Sequence, residues 1–258
     1  MAPKKLWTRE ELILAFNLYL KIAFGKTHSS NPRIIELANL INRTPASIVM
    51  RLGNFASIDP FHINRGITGL KNGMNQVQPI WNEFFNNQEE LVFLSEQILA
   101  KKENVTIEKK FEEILFDVKD LKGEDISRVV KTRVNQSVFR QMVLSNYDNK
   151  CAITGIDVPE LLLASHIIPW SKNEEHRLNP ENGICFSALY DKAFDKGLIG
   201  IDLNHEIILS DRIKKKKGTE FFDRYFSKIE NQKIISAHIT PRKEFLEYHL
   251  DIIFNSLV

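Results

Sequence analysis

Leu161-Leu162-Leu163-Ala164-Ser165-His166-Ile167-Ile168-Pro169-Trp170 is an aliphatic run broken by one Ser-His pair and stopped by proline. A buried strand accounts for the aliphatics and leaves the histidine near its end without a packing role. A polar loop follows, holding Asn173, Glu174, Glu175, His176 and Arg177, and then Asn179-Pro180-Glu181-Asn182-Gly183, a turn by composition. Residues 184–194 read as apolar at helical spacing, with Asp191 and Asp195 four residues apart and so on one helix face. Like charges at that spacing weaken a helix by roughly 0.2–0.5 kcal/mol. Gly197 makes Asp195 a last-turn residue, where negative charge also opposes the helix dipole. A divalent cation shared by the two carboxylates would compensate, and so would Lys192 and Lys196 on a wet surface; the helix alone does not choose.

Working outward, residues 134–147 read as a helix and Cys151-Ala152-Ile153-Thr154-Gly155 as a short strand-like piece with a turn. Residues 198–202 and 206–209 suggest a further hairpin. Thr240-Pro241 reads as the cap of a terminal helix ending near Phe254. Toward the N-terminus, Thr8 can cap an apolar-periodic helix through Leu12, Ala15, Phe16, Tyr19 and Ala23. A loop over residues 25–32 leads to a helix over residues 33–42. Thr44-Pro45 then supplies an N-cap and a first helical residue for a third helix. A short turn between two compact helices is the layout of a helix-turn-helix, with Ser47, Met50, Arg51 and Asn54 outside a core face of Ile48, Val49 and Leu52. A plain helical bundle fits the same periodicity. Residues 66–74 read as a glycine-rich loop, residues 79–102 as helical, and residues 101–125 as a charged helical connector with a loose end at Gly123.

The 258 residues are 43% hydrophobic, enough for ordinary packed cores and too much for a disordered chain. No apolar run reaches the roughly 20 residues that span a bilayer. The opening Met-Ala-Pro-Lys-Lys-Leu-Trp lacks the apolar core of a signal peptide, so the cell interior is expected. Cys151 and Cys185 form no C-x-x-C pair, which argues against a structural zinc and for two small buried hydrophobes. A net charge of +2 announces no partner by itself. Its distribution says more: Arg128, Lys131, Arg133 and Arg140 precede the Ser-His segment, and Arg212 with Lys214, Lys215, Lys216 and Lys217 follows it.

The ordered set His166-x-x-Pro169, Asn182-Gly183 and Asp191-x-x-x-Asp195 resembles the motif of HNH (ββα-metal) endonucleases, in the variant common among bacterial restriction and defence enzymes. Matching text runs from Arg133-Val134-Asn135-Gln136 and Phe139-Arg140, through Cys151-Ala152-Ile153-Thr154-Gly155 and Ala164-Ser165-His166, to Gly197-Leu198-Ile199. Several separated blocks in order are far more specific than a lone His-x-x-Pro. The N-terminal text, from Trp7-Thr8-Arg9-Glu10-Glu11-Leu12 to Leu52-Gly53-Asn54-Phe55, is similar to regions found ahead of such domains.

The resemblance implies a two-stranded hairpin packed on one helix with a cation between them. It makes His166 the general base and Asn182 a residue that hydrogen-bonds across the hairpin loop. It makes Asp191 and Asp195 ligands of Mg²⁺, with Mn²⁺ as a substitute. The family commonly has an acidic residue or histidine where this chain has Ser165, and histidine where it has Asp191, so Ser165 is carried as a candidate ligand, direct or through water.

The expected fold is α+β: a helix-turn-helix-like DNA-recognition domain over residues 1–77, a helical connector over 78–127 and an HNH domain over 128–258. Ser47, Arg51 and Asn54 would read DNA, and Arg133, Arg140 and Lys214 to Lys217 would contact phosphates. The expected activity is metal-dependent hydrolysis of double-stranded DNA by a cytoplasmic bacterial homodimer, restricting foreign DNA, modified bases included. Two other readings stay open: a DNA-binding regulator that keeps the fold without cutting, and a nuclease effector switched on by a ligand.

Overall fold

The computed structural model describes residues 6–22, 24–64, 66, 73–115 and 124–255. They divide into two compact units, Met1–Val138 and Phe139–Val258. Most of the glycine-rich loop and the Gly123 end of the connector lie outside the described residues.

In the first unit, α1 (Arg9–Lys21) starts at Thr8 in a reciprocal capping box: Thr8 Oγ1 accepts from the Glu11 amide and the Glu11 carboxylate accepts from the Thr8 amide. Helix α2 (Pro32–Leu40) is capped by Asn31, and α3 (Pro45–Ala56) by Thr44, which accepts from the Ser47 amide. After the single turn α4 (Pro60–Ile63) come α5 (Met74–Phe84) and α6 (Gln88–Lys102). Pro79 lies inside α5, so the expected helix start there is corrected to Met74. Val77, Ile80, Trp81, Phe84, Leu91 and Ile98 bury into the same core as Leu12, Phe16, Ile34, Ile48 and Phe55. Residues 78–102 are therefore part of the N-terminal core, which replaces the separate connector with one helical body. The short α7 (Ile107–Lys110) packs beside α6.

A second correction concerns α3. Arg51 is 8% exposed and Asn54 4%, so neither stands outside the core face. Arg51 donates to the Gly73 carbonyl and the Gln76 side chain and lies over the Trp7 ring, 4.7 Å from its centroid. Such a guanidinium is committed to structure. Of the four residues expected outside the core face, Ser47 is half-buried and Met50 exposed.

The helix α8 (Glu124–Asn146) runs unbroken through the division at Val138, where a boundary near residues 123–128 was expected. In the second unit, β1 (Leu162–His166) pairs antiparallel with β2 (Gly183–Ser187), His166 opposite Gly183 and Ser165 opposite Ile184. Then follow α9 (Ala188–Asp195) and the hairpin β3 (Ile199–Ile201) with β4 (Ile207–Leu209). Thus Ile184, Cys185 and Phe186 form a strand, and the helical reading of residues 184–194 holds only from Ala188. Every residue of β2 is buried, so the strand shows no polar alternation to betray it. Residues 151–155 form turns instead of a strand, anchored where the Ala152 amide donates to the Cys185 carbonyl. After α10 (Asp211–Lys214) and α11 (Glu220–Tyr225), α12 (Lys243–His249) ends the unit and passes into a π-helical turn, Leu250–Phe254, against β3. Its N-cap is Arg242, which corrects the Thr240-Pro241 cap.

Candidate active site

The β1–β2 pair and α9 form a strand-strand-helix unit, with α9 packed on both strands. His166 ends β1. Its Nε2 lies 3.0 Å from the Arg177 carbonyl oxygen. A carbonyl can only accept, so Nε2 carries the proton and Nδ1 keeps a lone pair. The ring lies flat on Phe139 of α8, centroids 3.7 Å apart and planes 15° from parallel, and Trp170 meets it edge-on at 5.5 Å. Burial pushes the His166 pKa down to about 4; the Arg177 carbonyl works against that shift and the Arg177 charge adds to it. The imidazole is neutral at neutral pH, the form a proton acceptor needs.

Asn182 is fully buried and closes the excursion between the strands. Its Oδ1 accepts from the Ile168 amide at 2.8 Å, and Nδ2 donates to the carbonyls of Ile168 at 3.2 Å and His176 at 3.1 Å. Its own carbonyl accepts from the Ile167 amide. The side chain therefore holds the chain just beyond His166 and touches no reacting group. Replacing Asn182 by alanine strands buried backbone groups of Ile168 and His176, and about 2–4 kcal/mol of stability is the expected loss. Chemical denaturation measures it; a loss within about 0.5 kcal/mol would show that the clamp is idle.

On α9, Asp191 accepts a hydrogen bond from the buried Ser165 hydroxyl. Asp195, one turn on, has its carboxyl pushed above the usual range by loss of water and next by the Asp191 charge, with Lys192 and Lys196 opposing. A cation between the carboxylates would relieve that repulsion, its remaining positions falling to water and phosphate. Ser165 spends its proton on Asp191 and orients that carboxylate. Among the described residues no group of three or more His, Cys, Asp or Glu side chains could enclose a metal. The hydrogen bond of the neighbouring His166 ring goes to the Arg177 carbonyl, while Ser165 makes the one to Asp191.

Other expected site residues separate from this centre. Arg140 donates to the carbonyls of Leu162 and Pro159, tying α8 to the start of β1. Lys214 pairs with Glu230 at 2.7 Å, and Lys215, Lys216 and Lys217 are exposed. Arg133 is half-buried on α8. His176 of the polar loop is half-buried, its ring centroid 4.9 Å from that of Phe245. Cys151 and Cys185 are free and buried, and burial pushes the Cys185 thiol up to about 12.

Three contributors left no reason in the sequence. Phe139 is the platform under the His166 ring, Arg177 holds that ring through a main-chain atom, and Gly183 leaves room for Phe139 and Val143 of α8. A Cβ on Gly183 would stand 2.4 Å from Val143 and 2.8 Å from Phe139. The glycine was visible in the motif; its reason was not.

Residues 151–202 match the family model of HNH endonucleases. The matched segment takes in Ser165, His166, Asn182, Asp191 and Asp195 and lies in the second unit. HNH nucleases generally use a divalent metal ion. Comparison with curated proteins gives no match. No described helix is long and apolar enough to cross a membrane.

Proposed function

We propose that the chain is a metal-dependent endonuclease that hydrolyses phosphodiester bonds in double-stranded DNA. The observation that carries this reading is the His166 tautomer: Nε2–H is spent on the Arg177 carbonyl, leaving Nδ1 to take a proton from water. Asn182 holds the strand end that presents the ring. Asp191 and Asp195 would hold the cation, with Ser165 aligning Asp191. Two carboxylates suit Mg²⁺, or Mn²⁺ in its place, because such a cation keeps several waters and takes further ligands from substrate phosphate. When bound, the cation supplies Lewis-acid stabilisation to the phosphate and the departing 3′ oxygen.

One HNH centre cuts one strand, so a homodimer serves a double-strand break. In the first unit, α2 and α3 flank a short turn in helix-turn-helix fashion, and Ser47 and Met50 are the α3 residues left to meet a groove. Arg133 and Lys215 to Lys217 would add sequence-independent phosphate contacts. Restriction of foreign DNA, modified bases included, is the role this arrangement serves.

Incubation of supercoiled plasmid and matched modified and unmodified genomic DNA with Mg²⁺ or Mn²⁺ tests the reading. Cleavage that EDTA abolishes is expected, and Asp191→Asn or Asp195→Asn should raise the half-saturating cation concentration at least about tenfold. Cutting indifferent to EDTA and to both substitutions would sink the metal assignment. A shifted gel band without cutting would instead favour a non-catalytic regulator.

A further inference from the structure

The segment around α11 turns aromatic rings both ways. Phe222 and Phe226 are buried, while Phe221 and Tyr225, four residues apart and so on one helix face, stand at the surface with 46% and 39% exposure. Their ring centroids lie 5.6 Å apart, with planes 49° from parallel. A lone exposed apolar side chain needs no explanation, but a paired aromatic face on a surface helix asks for one.

That face is fixed from beneath. The Tyr190 hydroxyl of α9 donates to the Tyr225 carbonyl at 2.6 Å, and the Tyr190 ring meets Phe226 edge-on at 6.0 Å. Phe221 leans on Phe226, centroids 5.4 Å apart. Tyr190 immediately precedes Asp191, so the paired rings are tied to the helix that carries both candidate carboxylates. Charge gathers at the same place. Residues 211–228 hold seven basic and three acidic residues, against 28 basic and 30 acidic in the rest of the chain, so the positive excess belongs to this stretch. Lys215, Lys216 and Lys217 are exposed and come just ahead of α11. A helix N-terminus favours negative charge, so these lysines do not serve the helix they precede.

We propose that Phe221 and Tyr225 form a stacking platform for unpaired nucleobases, with Lys215 to Lys217 taking phosphates of the same DNA strand. Every base has a π-face, which a duplex hides within its own stack, so an exposed aromatic pair selects a single strand. Rings already held by Phe226 and the Tyr190 hydroxyl lose little freedom on binding. The nuclease reading is thereby deepened: its substrate carries a single-stranded segment, such as a gap, an overhang or a frayed end. The inference rests on that reading for the choice of DNA as the polynucleotide.

Binding of the full chain to a fluorescent thymidine oligonucleotide and to a duplex of equal length, followed by anisotropy in EDTA, tests the platform apart from cleavage. Phe221→Leu and Tyr225→Leu are each expected to raise the single-strand Kd about tenfold and to leave the duplex Kd unchanged, whereas Tyr225→Phe keeps the parent value. Replacing Lys215, Lys216 and Lys217 together by alanine should weaken both forms and flatten their salt dependence. Melting curves show that each variant folds; should a leucine variant fail to, Phe221→Trp takes its place and is expected to tighten single-strand binding about threefold. A single-strand Kd unmoved by the ring substitutions, or moved equally with the duplex, overturns the platform, as does a parent chain that binds neither form. A chain that cuts DNA without the ring dependence keeps the nuclease reading and loses the platform. One that binds as expected and cuts nothing with Mg²⁺ or Mn²⁺ keeps the platform and loses the nuclease reading.

Discussion

Replacing His166 with alanine is expected to lower cleavage by about 10²–10⁴-fold while leaving DNA affinity nearly unchanged, the loss that follows removal of a general base. The ring makes one hydrogen bond through Nε2 and stacks on Phe139, so glutamine at 166 keeps some of the packing and none of the basicity. Both variants should bind and fail to cut. The acid limb of the kcat/KM profile should fall as pH drops through about 4, the value of the free ring. A bound phosphate favours the imidazolium, so the limb in kcat should lie at higher pH. Coincident limbs, or variants that cut at the parent rate, would remove His166 from the chemistry.

The depressed pKa also sets the sign of a stability effect. Between the ordinary value of 6.5 and about 4, the unfolded chain binds the proton that folded His166 refuses. The contribution is fully present above pH 6.5 and is lost as pH falls toward 4, by about 3 kcal/mol at most for one ring. His249, buried against Phe194 and also held down to about 4 by burial, acts in the same direction and window.

Gly183→Ala should be the other severe lesion. Gly183 faces His166 across the β1–β2 pair, and the added methyl would meet Val143 at 2.4 Å and the Phe139 ring at 2.8 Å. Both belong to α8, and Phe139 is the surface on which His166 lies. Relief requires the helix or the ring to move, an overpacking cost of about 1–3 kcal/mol. Activity should fall further than stability, because any tilt of Phe139 is passed to the imidazole. Adding Val143→Ala removes the tighter clash and should recover part of the melting temperature, with activity lagging behind. A single mutant as stable and active as the parent would show that α8 yields without cost.

What could be read from the chain follows how local each cause is. Thr8 and Thr44-Pro45 announced α1 and α3 because a cap and its helix are neighbours in sequence. The burial of Arg51 was hidden because its partners Trp7, Gly73 and Gln76 lie far along the chain. The strand β2 reads as part of a helix in the sequence because a fully buried strand has no period of two. In the site, Asn182 was expected to hydrogen-bond across the hairpin loop, and it does so with Ile168 and His176. Arg177 left no trace, since any residue can offer a carbonyl and its stacking on Trp170 exists only once the loop is folded.

Because the Asn182 amide fastens Ile168 on one side and His176 on the other, the intervening tip at Ser171 to Glu175 begins and ends on fixed posts. Exchanging exposed side chains of that tip is expected to leave the His166 ring in place. On the proposed nuclease reading, a change of target would begin at that tip.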